Sequence, residues 1–259
     1  MRIPERRRIE IRKLIEKENI VSVERLSELF GISPITVRRD LEKLQNEGYL
    51  KKVHGGAIAE QSFFEHEPIY SDHIKLFRAE KERIGKEASN RINDNDVVII
   101  ESGTTCLQVI HNLEDKKNLK IATAGIETAN ELWKLATIRK DFEISVCGGI
   151  IRPQSNTYVG PHAISFFNNI NADIAFIGAV AISLDKGMAT ATQFDAEITK
   201  SIIQCSKKII LLSDSSKFGK YSYINVTPLE ILDEIITDSN LNEDIRKDIE
   251  KLNVKLTIV

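Results

Sequence analysis

The sequence predicts an α/β protein of two domains, in which a small basic N-terminal domain precedes a larger domain built on a parallel sheet. The chain has 259 residues, of which 42% are hydrophobic, so it is long enough to form two buried cores. Residues 1–55 contain 13 Lys and Arg against 9 Asp and Glu, whereas the whole chain has a formal net charge of −2. From residue 97 onward, short apolar runs alternate with longer amphipathic segments, which is typical of parallel strands joined by helices.

Composition and cysteine spacing argue against a membrane, disulfide-rich or metal-binding protein. No apolar run approaches the roughly 18 residues that a membrane helix needs, and the N-terminus is charged. Cys106, Cys147 and Cys205 are odd in number and far apart, which fits neither a disulfide framework nor a metal site. Each lies in or beside an apolar run, so we interpret all three as core residues. We therefore expect a cytoplasmic protein without a bound metal or other cofactor.

The N-terminal part of the chain predicts three helices in succession. The first spans residues 4–19. The second spans residues 23–30, because Ser22 is a favourable N-cap and Gly31 a favourable end. The third begins at Pro34, after a capping serine, and runs to about residue 47. The apolar positions predicted to be buried in these helices are Ile9, Leu14, Ile15, Val23, Leu26, either Leu29 or Phe30, Val37, Leu41 and Leu44.

This order of helices, with a glycine turn before the third, is the plan of a helix-turn-helix, whose last helix enters the major groove of DNA. Arginine can pair with guanine or phosphate, and hydroxyl groups can reach either. Two short strands around a polar turn follow at residues 49–58 and indicate a wing. The candidate DNA-binding residues are Ser33, Thr36, Arg38, Arg39 and Lys43 on the third helix, and Lys51, Lys52 and His54 on the wing. The alternative interpretation is a solvated helix face for the arginines and a local turn hydrogen bond for His54.

A polar loop after the first strand of the C-terminal domain is the best candidate for an anion site. Residues 97–100 form a buried apolar strand, the loop Ser102-Gly103-Thr104-Thr105 follows, and a helix is predicted through residue 113. Free N–H groups at the start of a helix favour a negative charge, and the three hydroxyl groups add donors. The loop lacks the Lys-Ser/Thr ending of a nucleotide-binding P-loop. A simple N-cap and tight turn is the alternative interpretation.

The remaining strands and helices predict where other ligand-binding residues lie. Helices are predicted at residues 79–92, 128–135 and 194–205, and strands at residues 119–123, 143–146, 173–177, 208–212, 234–238 and 255–259. Ligands of parallel sheets gather outside the carboxyl ends of the strands. We therefore expect Gly148 and Gly149 to allow a ligand to approach closely, and Lys217 to supply a positive charge. Asp173 and Asp214 are either ligand contacts or loop caps.

Two sets of motifs resemble the DeoR family of transcriptional repressors, and together they cover nearly the whole chain. The first set resembles the DNA-binding signature of the family: Ser33-Pro34-Ile35-Thr36-Val37-Arg38-Arg39-Asp40-Leu41, Leu44, Gly48 and Val53-His54-Gly55-Gly56-Ala57. The second set resembles the sensor domain of the family: Ser102-Gly103-Thr104-Thr105, Cys147-Gly148-Gly149, Tyr158-Val159-Gly160, Asp173-Ile174-Ala175-Phe176-Ile177-Gly178 and Ser213-Asp214-Ser215-Ser216-Lys217-Phe218-Gly219. Two positions depart from the family pattern: Glu101 stands where Asp is usual, and Thr123-Ala124-Gly125 where Thr-Asn-Ser is frequent.

The resemblance implies a winged helix-turn-helix at residues 1–58, a linker at residues 59–78, and an effector-sensing α/β domain at residues 79–259 whose fold is akin to ribose-5-phosphate isomerases. The linker contains several aromatic residues, so we expect it to pack on the second domain. The family likeness also implies a homo-oligomer, a dimer or a tetramer, that binds double-stranded operator DNA and represses genes of carbohydrate metabolism under the control of a phosphorylated sugar. It marks Thr36, Arg38 and Arg39 as reading residues and adds Glu101, Asp173 and Glu197 to the candidate effector-binding residues.

Two other functions are compatible with the sequence. A phosphosugar isomerase with an attached DNA-binding domain needs a general base, and Glu197 could serve with Lys186 nearby. The acidic Asp-Gly-Ala-Asp-Glu run of such isomerases corresponds here to residues 177–181, which contain no carboxylate, so we expect the protein not to be an enzyme. A DNA-binding protein without a ligand is the other function, and the polar loops at the strand ends argue against it.

Overall fold

The structure of the chain is a computed structural model that describes residues 3–18, 20–46, 49–53, 55–59, 70–74 and 76–259. The chain divides into two compact units, residues 1–67 and residues 68–259. One continuous hydrophobic core lies in the first unit, and two lie in the second. Each unit therefore has the buried interior that an independently packed domain needs.

The N-terminal unit consists of helices packed on a small antiparallel sheet. Its elements are α1 (Ile3–Glu18), β1 (Ile20–Ser22), α2 (Val23–Phe30), α3 (Pro34–Asn46), β2 (Leu50–Val53) and β3 (Gly56–Ala59). The strands lie in the order β1-β3-β2, so the hairpin predicted as a wing gains a third strand from the residues before α2. The Ser22 hydroxyl caps α2 by accepting the Arg25 N–H at 3.1 Å, and Gly31 ends the helix in the left-handed conformation, both as predicted.

One face of each helix forms the core of this unit. The buried residues are Ile11, Ile15, Val21, Val23, Leu26, Val37, Leu41, Leu44, Leu50 and Ala57. The predicted stripe of α3 is confirmed, whereas the prediction for Ile9 is wrong, because 42% of this residue is exposed. Ile11 lies two positions further on, about 200° around the helix, and packs inward together with Ile15. On α2, Phe30 packs against the core and Leu29 is exposed.

The two glycines of the wing meet two different backbone requirements. A Cβ atom on Gly56 would lie 2.2 Å from the carbonyl oxygen of Val21 on β1, so β1 and β3 can pair only with glycine at this position. Gly55, one residue earlier, has a φ of 82°, in the left-handed region that side chains disfavour. The paired glycines are therefore explained by the geometry of the wing turn.

The C-terminal unit is built around a parallel sheet with helices on both faces. Its helices are α4 (Tyr70–Ile74), α5 (Arg78–Ser89), α6 (Leu107–Ile110), α7 (Ile126–Ile138), α8 (Pro161–Asn168), α9 (Gln193–Gln204) and α10 (Glu243–Ile249). Its strands are β4 (Val97–Ile100), β5 (Lys120–Thr123), β6 (Glu143–Val146), β7 (Ile150–Arg152), β8 (Thr157–Val159), β9 (Ile174–Ile177), β10 (Ala181–Ser183), β11 (Gly187–Thr190), β12 (Ile209–Leu212), β13 (Ile224–Thr227), β14 (Glu234–Thr237) and β15 (Lys255–Ile258).

The order of the strands places the polar loop after β4 at the point where the sheet changes direction. The central sheet has the order β15-β14-β12-β9-β4-β5-β6, and all neighbouring pairs are parallel. From β4 the chain proceeds outward through β5 and β6, and then crosses to β9 on the other side. Such a topological switch point opens a crevice between the loops that leave the strands. The predicted α/β class with a largely parallel sheet is confirmed.

Alternate residues of the strands pack on opposite faces of the sheet. On β9, Ile174 and Phe176 join the core formed with α5, α6 and α7, whereas Ala175 and Ile177 join the core formed with α8, α9 and α10. Because β4 follows the same alternation, Glu101, the residue after Ile100, is directed toward the α9 face. Burial on both faces explains why the strands are continuous apolar runs in the sequence.

Several elements of this unit were not predicted. They are the β7-β8 hairpin, the small antiparallel sheet β10-β11-β13, α8 and α10. The strands β7, β8 and β10 have three residues each, which is too short for a clear alternation and explains why the pattern missed them. The helix expected to run through residue 113 is α6, which has a single turn.

A buried carboxylate ties the amino edge of the sheet to α5 and β15. Glu234 accepts the Arg91 Nη2 at 2.8 Å, the Thr257 hydroxyl at 2.6 Å and the Lys255 ammonium at 3.0 Å. Burial alone would raise the pKa of Glu234, but the hydrogen bonds from Arg91, Thr257 and Lys255 outweigh it and lower the pKa to about 2. This network lies at the opposite edge from the strand-end loops and is structural.

Candidate functional site

The exposed side of α3 carries the candidate DNA-binding residues of the third helix. Ser33, Arg38, Arg39 and Lys43 are exposed, and Thr36 is half-buried. The Ser33 hydroxyl accepts the Thr36 N–H at 3.3 Å and so caps the helix. Arg39 and Lys43 are four residues apart and share one side of α3, whereas Arg38 points about 100° away from Arg39. The two arginines can therefore reach different atoms of one partner, such as a base edge and a phosphate.

The wing residues are described only in part. Lys51 and Lys52 lie on β2, where they pair with Ile58 and Ala57 of β3, but their side chains are outside the described part of the chain. His54 lies outside the described residues. The predicted roles of these three residues stay predictions.

A buried ion pair that the sequence interpretation missed joins α3 to α1. Asp40 lies on the inner side of α3 and accepts Arg7 Nε at 2.7 Å and Arg8 Nη1 at 3.4 Å. Arg7 and Arg8 lie on α1 and are themselves mostly buried. Because the pair lies away from the exposed side of α3, it positions this helix. A carboxylate beside the apolar stripe is the signal that could have revealed it.

A second missed residue is Ile35, the second residue of α3. It is 69% exposed, although it is a large apolar side chain at the start of the helix that bears the candidate DNA-binding residues. An apolar side chain at this place can contact the methyl group of thymine in a major groove. Ile35 therefore belongs with the candidate reading residues.

The loop after β4 presents backbone donors at the switch point of the sheet. The N–H groups of Gly103, Thr104 and Thr105 donate to no acceptor within the described ranges. Thr104 and Thr105 are buried, and the Ser102 hydroxyl accepts the Thr157 hydroxyl at 2.7 Å. Since α6 has a single turn, the donors of the loop, more than a helix dipole, favour an anion here. The predicted role of this loop as an anion site stays a prediction, and the loop offers unsatisfied donors for it among the described residues.

Glu101 lies directly before this loop but directs its carboxylate into the protein. One oxygen accepts the Gly178 N–H at 2.8 Å, and the other accepts the hydroxyl of Thr199 on α9. Burial raises the pKa of Glu101 to about 7, although the hydrogen bonds from Thr199 and Gly178 oppose it, and the nearby Asp195 raises it further. These hydrogen bonds tie β4 to the residues after β9 and to α9. The predicted contact of Glu101 with a ligand stays a prediction.

Asp195, which the sequence interpretation missed, lies beside Glu101. Its Oδ2 atom accepts the Thr192 hydroxyl at 2.5 Å and lies 3.4 Å from the Nε of Arg152. Its Oδ1 atom is buried and has no hydrogen-bond partner among the described residues. The hydroxyl oxygen of Thr199, which donates to Glu101, also lies 3.1 Å from the backbone oxygen of Asp195. A buried acceptor without a donor indicates a place where a ligand or water donates.

Glu197 is not brought to this cluster. Its carboxylate accepts the side-chain amide of Gln193 at 3.1 Å, one turn earlier on α9. Two positions separate Glu197 from Asp195, which places them about 200° apart around the helix. Lys186, its expected companion, is exposed in the turn between β10 and β11. The predicted effector contact of Glu197 is untested.

The structure corrects the expected position of Asp173. This residue precedes β9 and therefore lies at the amino edge of the sheet, opposite the strand-end loops. It accepts the Val97 N–H at 2.9 Å and the Lys207 ammonium at 2.8 Å. The bond from Lys207, followed by that from Val97, lowers the pKa of Asp173. Asp173 is a loop cap, the alternative left open by the sequence, and so is Asp214, which accepts the Ser216 N–H.

Two mostly buried lysines lie near Asp214 after β12. Burial lowers the pKa of Lys217, while Asp214 opposes that effect, and no described carboxylate lies within salt-bridge distance of its ammonium. Lys81 on α5 is buried as well, its ammonium donates to the His73 oxygen at 2.7 Å, and Lys217 is among the charges that act on it. The ends of β12 and β4 are two strand spacings apart, about 10 Å. Lys81 was missed because its sequence context is an ordinary charged helix.

Gly148 and Gly149 follow β6 and form the bend into the β7-β8 hairpin. A Cβ atom on Gly149 would lie 2.7 Å from the Val159 oxygen, so this glycine allows the hairpin to close on itself, whereas a Cβ on Gly148 would meet only open space. Their predicted closeness to a ligand is untested. The hairpin brings Arg152 to Asp195, and the Ser155 hydroxyl in the same hairpin is buried without a partner among the described residues.

The segment before α5 lies over this edge of the sheet. The Tyr70 N–H donates to the Gln154 oxygen at 3.0 Å, and burial, with the nearby charge of Glu127, raises the pKa of Tyr70. The Tyr70 hydroxyl is buried and has no partner within the described ranges. The unsatisfied polar atoms of Tyr70, Ser155 and Asp195 thus accompany the free N–H groups of the β4 loop. This concentration is the main reason to place a ligand site here.

Metal-binding and membrane-spanning features are absent from the described part of the chain. No three His, Cys, Asp or Glu side chains gather there as metal ligands, and no helix there has the length and apolarity to cross a bilayer. Burial raises the pKa of the thiols of Cys106, Cys147 and Cys205, which fits their interpretation as core residues.

Comparison with known proteins adds sequence relatives along the whole chain. Residues 7–63 match the DeoR-like helix-turn-helix domain, and residues 77–239 match the DeoR C terminal sensor domain. An uncharacterized HTH-type transcriptional regulator of Haemophilus influenzae is 33% identical over 257 residues, 99% of this chain and 98% of that protein. The glycerol-3-phosphate regulon repressor of Escherichia coli is 29% identical and covers 88% of both chains. A solved ribose 5-phosphate isomerase from Plasmodium falciparum matches at 16% identity and a TM-score of 0.39, over 53% of this chain and 52% of that one, which is too distant to support an argument.

Proposed function

Since the chain belongs to the DeoR family of helix-turn-helix transcriptional regulators, we propose that it represses genes of carbohydrate metabolism. We further propose that a phosphorylated sugar controls its affinity for operator DNA. The observation that carries the ligand half of this proposal is the β4 loop. Three backbone N–H groups that have no acceptor among the described residues lie at the switch point of a parallel sheet, and they suit the oxygens of a phosphate group.

The second unit supplies a cation for the same phosphate. Lys217 is mostly buried without a carboxylate at salt-bridge distance in the described ranges, so its charge is poorly compensated in the free protein. A bound phosphate would compensate it, and an ammonium buried beside a phosphate makes a strong charge-assisted hydrogen bond. We assign the phosphate to the β4 loop and Lys217, with Lys81 adding positive potential from α5.

The first unit supplies the DNA-binding surface. Arg38, Arg39 and Lys43 are exposed on α3, the helix that enters the major groove in a helix-turn-helix. Ser33 and Thr36 at its start can contact phosphate or base, and the wing residues Lys51, Lys52 and His54 contact the DNA backbone. Ile35 packs against a thymine methyl group. The proposal assigns residues 1–58 to DNA binding, residues 59–78 to the linker and residues 79–259 to sensing.

The linker offers a route by which ligand binding affects DNA binding. Tyr70 and His73 on α4 are held by Gln154 and by Lys81, residues that adjoin the two ends of the ligand site. A ligand that binds there changes how this segment is held, and so shifts the arrangement of a homo-oligomer, a dimer or a tetramer, on paired half-sites of the operator. For such a shift the ligand must bind the two arrangements with unequal affinity.

The relatives support the transcriptional role and the ligand class. The Escherichia coli relative is named for a glycerol-3-phosphate regulon, and glycerol 3-phosphate is a phosphorylated polyol. The relatives named above are transcriptional regulators, which favours a sensor over an isomerase. The structure adds no pairing of Glu197 with Lys186 that would favour catalysis.

Thermal unfolding of the full chain with a panel of phosphorylated sugars tests the ligand half. A ligand held by the folded state raises the melting temperature, and a 100-fold excess over Kd corresponds to about 2.7 kcal/mol, a shift of several degrees. We expect at least one sugar phosphate to give this shift, while the unphosphorylated sugar does not.

Variants make the test specific. Lys217→Ala is expected to lose most of the shift, whereas Lys247→Ala, which removes an exposed lysine on α10, is expected to keep it. If no phosphorylated compound, including inorganic phosphate at high concentration, changes the melting temperature of the unaltered chain, the proposed ligand class is wrong. Turnover of a sugar phosphate in the same samples would favour the isomerase instead.

A further inference from the structure

We propose that Asp195, Arg152 and Ser155 form a second subsite that binds hydroxyl groups of the ligand, and that this subsite selects phosphorylated polyols and sugars over phosphorylated sugar acids. The inference rests on the proposed function, because it concerns the end of the ligand away from the phosphate. Asp195 is the residue that determines this selection.

Asp195 has an unsatisfied acceptor atom. The Oδ1 atom of Asp195 is buried without a partner in the described ranges, although Oδ2 already accepts the Thr192 hydroxyl and faces the Arg152 guanidinium. A buried acceptor without a donor costs about 1–3 kcal/mol, more when it carries charge. A ligand hydroxyl donating to Oδ1 would remove that cost, whereas a ligand carboxylate has no hydrogen to donate.

Contacts between neighbouring residues connect Asp195 to the β4 loop, to which we assign the phosphate. The Thr199 hydroxyl links the Asp195 backbone to Glu101, and Glu101 precedes Ser102. On the hairpin side, Thr157 donates to Ser102, and its hydroxyl also lies 3.0 Å from the Ser155 oxygen. The two chains of contacts start from one loop and reach the backbones of Asp195 and Ser155, and the proposal places both residues within the span of one small ligand bound at the loop.

The acidic groups of the subsite disfavour a ligand that carries a carboxylate. Asp195 lies close enough to Glu101 for its charge to affect that carboxyl group, and the Arg152 guanidinium lies 3.4 Å from Asp195. A carboxylate brought by a sugar acid would face the carboxylate of Asp195 across a buried space, where repulsion is poorly screened. The Ser155 hydroxyl, buried without a partner among the described residues, can both donate to and accept from a ligand hydroxyl.

Glu101 has a different part in this subsite. Each of its oxygens already accepts a hydrogen bond, from the Gly178 N–H and from the Thr199 hydroxyl, whereas the Oδ1 atom of Asp195 has no donor among the described residues. It positions Thr199 and, through Thr199, the turn of α9 that bears Asp195. Asp195 is thus the ligand contact, and Glu101 a positioning residue.

Isothermal titration of the full chain with matched pairs of compounds tests this inference. Glycerol 3-phosphate and 3-phosphoglycerate differ by a hydroxymethyl group against a carboxylate, and so do glucitol 6-phosphate and 6-phosphogluconate. We expect the member with the hydroxymethyl group, in the pair that binds, to be preferred at least about tenfold, which is the discrimination that one unpaired buried charge produces.

Asp195→Asn is expected to reduce that preference to about twofold or less, because it removes the negative charge while keeping the size of the side chain. Its affinity for inorganic phosphate should stay within about twofold of the unaltered chain, since the phosphate loop is untouched. Glu197→Gln is the matched control: it removes a carboxylate from the same helix on the other side, and the preference should persist.

Ser155→Ala provides a second variant if Asp195→Asn unfolds. Because the Ser155 hydroxyl has no protein partner in the described ranges, its removal should leave the melting temperature within about a degree, while affinity for the polyol phosphate falls roughly fivefold. A residue with a merely structural role would give the reverse pattern.

The outcomes separate this inference from the proposed function. If the chain binds polyol phosphates but Asp195→Asn keeps the full preference, or if sugar acids are preferred, the subsite assignment is overturned and the proposed function stands. If neither inorganic phosphate nor any phosphate ester binds, both are overturned.

Discussion

At the scale of single residues, the candidate site depends on polar groups that the fold leaves unsatisfied or buries at a cost. Among the described residues, the N–H groups of the β4 loop have no acceptor and the Oδ1 atom of Asp195 has no donor. The ammonium of Lys217 has no carboxylate at salt-bridge distance there. Each such group destabilises the free protein, so their concentration at one edge of the sheet points to a ligand that compensates them.

Glu101 gives a prediction about stability at this scale. Its pKa is about 7 in the folded chain and near 4.5 in the unfolded chain, mainly because of burial. Between these values the folded state holds a proton that the unfolded state has lost, so unfolding becomes easier as pH rises from about 4.5 to about 7. The loss of free energy of unfolding across this window is about 3 kcal/mol, and above pH 7 no more is lost.

Glu101→Gln removes this titration and keeps an acceptor for Gly178. We expect the variant and the unaltered chain to have similar free energies of unfolding at pH 4.5, and the variant to be more stable at pH 8 by up to about 3 kcal/mol. Urea unfolding at the two pH values measures the difference. A variant that is equally destabilised at both values would mean that the carboxylate is needed in its charged form.

At the scale of elements, α3 is held to its unit by an apolar stripe on one side and by the Asp40 ion pair beside it. Asp40 bonds to Arg7 and Arg8 of α1, and it lies away from the exposed side of the helix. The orientation of the candidate reading residues therefore depends on a contact that touches no DNA.

Asp40→Asn is expected to destabilise the chain by about 2–3 kcal/mol, because two buried guanidinium groups lose their charged acceptor. Glu42→Gln, at an exposed position of the same helix, is the control and should change stability by less than about 0.5 kcal/mol. Chemical unfolding, followed for the N-terminal unit, provides the measurement. Equal effects of the two substitutions would show that the ion pair does not position α3.

Elements also differ in how far the sequence predicts them. The ends of α2 and the stripe of α3 follow from caps and from spacing within a few residues, so local patterns suffice. The Asp195 cluster depends on β4, the β7-β8 hairpin and α9, which are far apart in the sequence, so no local pattern contains it. Asp195 and not Glu197 lies beside Glu101 because of the phase of α9, which only the packing of that helix determines.

The error in the expected position of Asp173 has a simpler cause. It precedes the strand that follows it, and a residue before a parallel strand lies at the amino edge of the sheet. The direction of the strand was predicted correctly, and that direction alone excludes Asp173 from the carboxyl edge. The anion loop, the two glycines and Lys217 follow their strands, and the same reasoning places them at the carboxyl edge.

At the scale of the whole molecule, the chain combines a unit with exposed cations on α3 and a unit with unsatisfied donors at a switch point. Matches along nearly its full length place it in a family of transcriptional regulators. Two proposed properties can therefore be tested separately. One unit binds DNA, and the other binds a phosphorylated ligand that changes the affinity for DNA.

Fluorescence anisotropy of labelled fragments from the promoter of the chain's own gene, with and without the sugar phosphate that raises its melting temperature, tests the central claim most directly. The unaltered chain should bind in moderate salt, and the ligand should change the apparent Kd at least about fivefold. Arg38→Ala with Arg39→Ala should abolish specific binding while keeping the melting shift. A ligand that leaves the Kd unchanged, or a double variant that binds DNA as tightly as the unaltered chain, would contradict the account.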